Sequence, residues 1–126
     1  MRYLILVKGT KDTERGAKPT EALLNEMAAY HEELAKAGVL LDGSGLHPSA
    51  KGWRVRYDGA KRKVVDGPFA DARELVAGYT LIQVKSEDEA REWTRRFPNP
   101  SGDGGKAEIE VRRIYELEEV SQSTSI

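Results

Sequence analysis

The ten residues from Leu75 to Val84 run with almost no polar alternation, and a rigid polar turn, Val65-Asp66-Gly67-Pro68-Phe69-Ala70-Asp71, precedes them. A strand that is apolar on both parities has to be covered on both faces. In a chain of 126 residues there is material for one core only, so one of the two covers is expected to come from outside the chain. The other segments must then build a sheet around this strand and supply helices for one side of it.

They read in that way. Tyr3 to Val7 is rich in β-formers and stops at Gly9, a first strand. Gly9 to Lys18 is polar and charged. Pro19 and Thr20 open a helix whose Leu23, Met27, Tyr30 and Leu34 share one face, with Leu24 and His31 alongside and Gly38 at its end. Val39-Leu40-Leu41 follows as a buried strand running into a turn at Asp42-Gly43-Ser44-Gly45. Trp53, Val55 and Tyr57 then alternate with Arg54 and Arg56, and Asp58-Gly59 folds this strand back on Arg62 to Val65 as a hairpin. Beyond the central strand, Ser86 with Glu89 forms a capping box, and Ala90, Trp93 and Phe97 mark a second helix that Pro98 stops. Pro100 to Gly105 reads as a flexible connection. Ile109 and Val111 define a last strand that is either bulged or apolar on different faces at its two ends, since Ile114 falls on the other parity. The order fits an α+β, ferredoxin-like βαββαβ protomer with an inserted β-hairpin. The domain is expected over 1–118, with a flexible tail over 119–126.

Composition excludes several classes. Twenty basic and 21 acidic residues nearly cancel, which leaves no field to draw in phosphate backbones, so nucleic acid is not an expected partner. The apolar run Met1 to Val7 is too short for a signal segment or a membrane span, no membrane association is expected, and the expected location is cytoplasmic. The chain has no cysteine and two isolated histidines, so neither a metal site nor a cofactor is expected.

Several residues carry chemistry. His47 lies in Gly45-Leu46-His47-Pro48, where the proline favours an extended backbone, and an imidazole exchanges protons near neutrality. Asp66 opens the Asp-Gly-Pro-Phe turn, where it either accepts neighbouring amides as an Asx-turn or faces a cleft as a proton acceptor. His31 borders the apolar helix stripe. Arg54 and Arg56 share a strand face that could grip a carboxylate, Arg112 sits on the last strand, and Tyr79 needs a partner for its hydroxyl inside the central strand.

Taken together, Glu33-Leu34, Gly38 to Leu41, Gly45 to Pro48, Asp66 to Phe69, Gly78-Tyr79 and Ile109 to Arg112 resemble the DGPF branch of the YCII-related proteins. The resemblance implies a ferredoxin-like protomer that pairs with a twofold mate into a dimeric α+β barrel with a cleft between the copies. Relatives with assigned chemistry use a helix histidine with an aspartate; that helix position falls at Met27 here, with His31 one turn later. The expectation is a homodimer holding a small polar or aromatic molecule, with cofactor-independent acid/base chemistry by His47 and Asp66 and ligand contacts from Arg54, Tyr79, His31 and Arg112. Some relatives occur with, or fused to, extracytoplasmic-function sigma factors, which implies the alternative of a non-catalytic module with a sigma-factor partner.

Overall fold

The computed structural model describes residues 1–102 and 104–121. Along the chain it runs β1 (Arg2–Lys8), α1 (Lys11–Glu14), α2 (Glu21–Lys36), β2 (Leu40–Gly45), β3 (Trp53–Asp58), β4 (Lys61–Asp66), β5 (Val76–Gln83), α3 (Glu87–Arg95), β6 (Ile109–Arg113) and α4 (Leu117–Ser121), with single 3-10 turns at Ser49–Lys51 and Ala72–Glu74. Four strands form one antiparallel sheet in the order β2-β5-β1-β6, and β3 and β4 form a separate two-stranded sheet. With the hairpin set aside this is the α+β, ferredoxin-like βαββαβ arrangement expected from the sequence.

The strand period of two decides which side chains meet the helices. Cross-strand register puts Tyr3, Ile5 and Val7 of β1 beside Ile82, Thr80 and Gly78 of β5. On this side Ile5, Thr80 and Ile82 are sealed from solvent together with Leu34 of α2, and Tyr30, Val39, Val84 and Ala90 complete the core. The Tyr30 hydroxyl donates to the Trp93 carbonyl at 2.7 Å, and its ring meets Trp93 and Phe97 edge-on, so this one residue ties α2 to α3. Burial pushes its phenol pKa up to about 12.

Local chemistry explains the helix limits. The Thr20 side chain accepts from the Leu23 amide, and Gly38 adopts a positive φ of 73° past the end of α2. The Ser86 side chain accepts from the Glu89 amide at the start of α3. One expectation needs correction, at Asp42–Gly45, and two points left open by the sequence are decided. The polar stretch after Gly9 contains α1, a single turn held by reciprocal hydrogen bonds between Thr10 and Thr13. Asp42-Gly43-Ser44-Gly45 is not a turn but most of β2, since its backbone pairs with β5 as far as Gly78 after a bulge at Leu41. Strand β6 pairs with β1 without a register shift over Ile109 to Arg113, so it is not bulged there. At the C-terminal end α4 covers 119–121 of the expected tail, and 122–126 lie outside the described residues, as does Asp103 of the connection. Among the described residues no helix is long and apolar enough to cross a membrane.

Truncating the sealed Leu34 to alanine is expected to cost about 2–5 kcal/mol, whereas the same change at exposed Leu24 should cost less than about 0.5 kcal/mol. Urea titration of the two variants beside the parent checks the contrast.

Candidate functional site

Among the described residues, the second face of the four-stranded sheet has no helix over it. Its register rows are Ser44, Tyr79, Leu6 and Glu110, then Asp42, Leu81, Leu4 and Arg112. Leu4, Leu6, Leu81 and Tyr79 are only half-buried in the protomer, an apolar centre between two polar strand edges. On the β2 edge the Tyr79 hydroxyl donates to Asp42 Oδ2 at 2.7 Å, while the Gly43 amide donates to Asp42 Oδ1 at 2.8 Å. The hydrogen bond from Tyr79, and then the one from Gly43, hold the Asp42 carboxyl below the ordinary carboxylate range. The same bond to Asp42 raises the Tyr79 phenol. On the β6 edge Arg112 Nη1 donates to Glu110 Oε2 at 3.2 Å and the Lys8 ammonium stands 3.9 Å from the same carboxylate.

Asp42 is therefore a candidate site residue that sequence reasoning missed. Asp-Gly-Ser-Gly carries every mark of a turn, and only the ladder to β5 turns it into strand and sends the carboxylate to the Tyr79 side. The alternation Gly78-Tyr79-Thr80 was the available signal, because it requires whatever pairs with Tyr79 to share its face.

The predicted residues do not converge. Tyr79 and Arg112 are on the uncovered face. His31 is on the opposite side, under the sheet, where its Nε2 shares a 2.9 Å hydrogen bond with Thr80 Oγ1 and stands 3.3 Å from where a Cβ on Gly43 would sit. Burial lowers its pKa below the ordinary 6.5, which favours the neutral ring at pH 7. Arg54 lies on the hairpin with its guanidinium 3.8 Å from the Phe69 ring centre, a cation–π contact. His47 is exposed on the loop after β2, and Asp66 is exposed at the end of β4. No hydrogen bond or ion pair joins those two within the protomer among the described residues.

The Asp-Gly-Pro-Phe turn is anchored, but not by Asp66, which among the described residues accepts no amide as an Asx-turn. Ser49 does the anchoring: its hydroxyl accepts from the Phe69 amide at 3.0 Å and donates to Glu14 Oε1, while its own amide donates to Glu14 Oε2 at 3.0 Å. The Gly67 amide donates to the Gly52 carbonyl at 3.0 Å. A Cβ at Gly67 would lie 1.8 Å from the Ser49 carbonyl oxygen, so only glycine permits this approach. The Asx-type bond is made instead by Asp71, whose carboxylate accepts from the Arg73 amide at 3.0 Å. Among the described residues no group of three or more His, Cys, Asp and Glu side chains is placed to hold a metal ion.

The YCII-related domain matches residues 1–118, and the chain belongs to this family. It is also similar to an uncharacterised protein of Rhizobium meliloti (strain 1021), 28% identical over 95 residues that span 75% of this chain and 77% of that one.

The lowered His31 pKa has a stability consequence with a defined sign. Below 6.5 the unfolded chain takes up a proton that the folded chain resists, so stability falls as pH drops through that window. Replacing His31 with glutamine is expected to flatten this part of the profile, read as urea midpoints between about pH 7.5 and about pH 5.5. An unchanged slope would assign it to other groups.

Proposed function

We propose that this YCII-related chain works as a homodimer in which two copies stack the uncovered faces of their four-stranded sheets, and that the cleft so enclosed binds a small polar or aromatic molecule. The observation that carries this is the composition of that face: an apolar floor of Leu4, Leu6 and Leu81 beside a hydroxyl–carboxylate pair, Tyr79 and Asp42. An apolar floor with a few oriented polar groups is what small-ligand sites are made of. Tyr79 gives an aromatic edge, Asp42 a fixed acceptor, and Arg112 a cation on the opposite strand edge for an anionic substituent.

Cofactor-independent proton chemistry is consistent with the pair on this face. Asp42 is held ionised and Tyr79 holds its proton firmly, so the two would act as acceptor and donor toward a bound molecule. The version that uses His47 and Asp66 has less support, since the two make no contact within a protomer and would have to meet through the ligand or the second copy.

Sedimentation of the purified protein is expected to give a dimer, and Leu81→Lys, which places a charge at the centre of the face, should give a folded monomer. Native mass spectrometry against a panel of phenols, aromatic amines and aromatic carboxylates should find at least one bound species. Tyr79→Phe should weaken that species about tenfold while leaving the dimer intact, the loss of one charge-linked hydrogen bond. A parent protein that sediments as a monomer removes the shared cleft.

A further inference from the structure

Hairpin β3–β4 has little cover of its own. Among the described residues its strands pair only with each other, and a two-stranded hairpin is marginal in water unless something packs on it. Cross-strand register places Trp53, Val55, Tyr57 and Val64 on one face beside Arg62 and Asp66, and the four apolar side chains are 66%, 39%, 65% and 63% exposed. An exposed apolar cluster of this kind, flanked by one cation and one anion, marks a surface for association.

The charges on the hairpin are also unbalanced. Eight of the eleven arginines, at 2, 15, 73, 91, 95, 96, 112 and 113, are ion-paired within the chain. The remaining three, Arg54, Arg56 and Arg62, are all on the hairpin, and among the described residues neither they nor Lys61 and Lys63 form an ion pair. Arg54 stacks on Phe69 and Arg62 stands 5.0 Å from the Tyr57 ring centre, so two of them serve aromatic rings instead. From Lys51 to Asp66 there are six basic and two acidic residues, whereas the other residues of the chain include 14 basic and 19 acidic. Exposed Glu21, Glu26 and Glu33 of α2 make no ion pair among the described residues.

We propose that the hairpin is a docking arm for a second copy of this chain, its Trp53, Val55, Tyr57 and Val64 face lying on the partner and its unpaired cations meeting acidic groups of the partner's body. Charge complementarity selects this occupant, because the body of each protomer carries the acidic excess that the arm lacks. Strands in a ladder are about 4.8 Å apart, so long arginine and lysine side chains from either face of a two-stranded ribbon reach its edges. The arm also joins β2 to β5, two of the strands that bear the uncovered face, so an arm contact would extend the sheet-face interface. This inference rests on the dimer reading and adds to it a second, electrostatic contact.

Sedimentation equilibrium tests it on the full chain. Two variants are compared with the parent at low and high salt: Trp53→Ser with Tyr57→Ser, and Arg56→Glu with Arg62→Glu. These residues lie on the exposed ribbon, and far-UV circular dichroism should stay unchanged. Each variant is expected to raise the dimer Kd at least about tenfold, and added salt should weaken the parent dimer more than the charge-reversed one. A parent dimer that neither variant moves overturns the arm contact and leaves the sheet-face dimer standing. A dimer weakened by the arm variants but not by Leu81→Lys supports the arm and removes the sheet-face reading. A monomeric parent overturns both. Arm-dependent binding of polyglutamate with no change in self-association overturns self-docking and gives the arm to a different acidic partner.

Discussion

The two-residue period of strand β5 governs the rest of the molecule. Gly78, Thr80 and Ile82 point one way and are buried under the helices, while Tyr79 and Leu81 point the other way and are not. A single strand cannot satisfy both faces from one short chain, because the described residues provide only α2 and α3 as long covers and both pack on the same side. Right-handed crossovers force that outcome: each helix returns the chain to the same sheet by the same hand, so both helices end on one layer. The uncovered face therefore follows from the topology.

The same constraint explains why His31 and Asp42 have different environments although both lie close to the Gly43-Ser44 and Tyr79-Thr80 pairing. His31 approaches the sheet from the helix layer and is held neutral by burial, with the Thr80 hydroxyl as its partner. Asp42 sits on the other layer in open solvent and is kept ionised by donated hydrogen bonds. Gly43 lies between them, tight against the imidazole. A side chain there would press on His31, so the turn-like composition of β2 serves close packing beneath the strand rather than a reversal of the chain.

How much could be seen in the sequence divides along the range of the interactions. Features set within a few residues were legible: the Thr20 and Ser86 caps, Gly38 at the helix end, and the Asp58-Gly59 hairpin turn. The fold followed from their order. Features set by distant partners were not legible. The Asp-Gly-Ser-Gly segment becomes strand only through its ladder to β5, and the Asp66 turn is fixed by Ser49 and by Glu14, which is 35 residues away from Ser49 in the chain. A Tyr79 hydroxyl inside the central strand needs a partner, but the identity of that partner depends on the register of β2, which the Leu41 bulge shifts by one residue. The helical period alone puts His31 at the margin of the stripe, whereas the layer it faces is a tertiary fact.

The Tyr79–Asp42 pair shows what coverage by a second copy would change. In the protomer Asp42 is exposed and Tyr79 half-buried, so water reaches the hydrogen bond and competes for each partner, which limits its net free energy. Covering the face would remove that competition and lower the local dielectric, which strengthens the bond and also raises the cost of leaving any lone pair of Asp42 unmatched. Two of its lone pairs are already used, by Tyr79 and by the Gly43 amide. A covered Asp42 would then demand a further donor, from a ligand or from the partner's chain, and selectivity for molecules that present an N–H or O–H beside an apolar body follows from that demand. The leucines at the centre of the face and the polar pair at its edge thus have one physical cause in common: both are incompletely satisfied in a single copy, and the same act of covering would complete them.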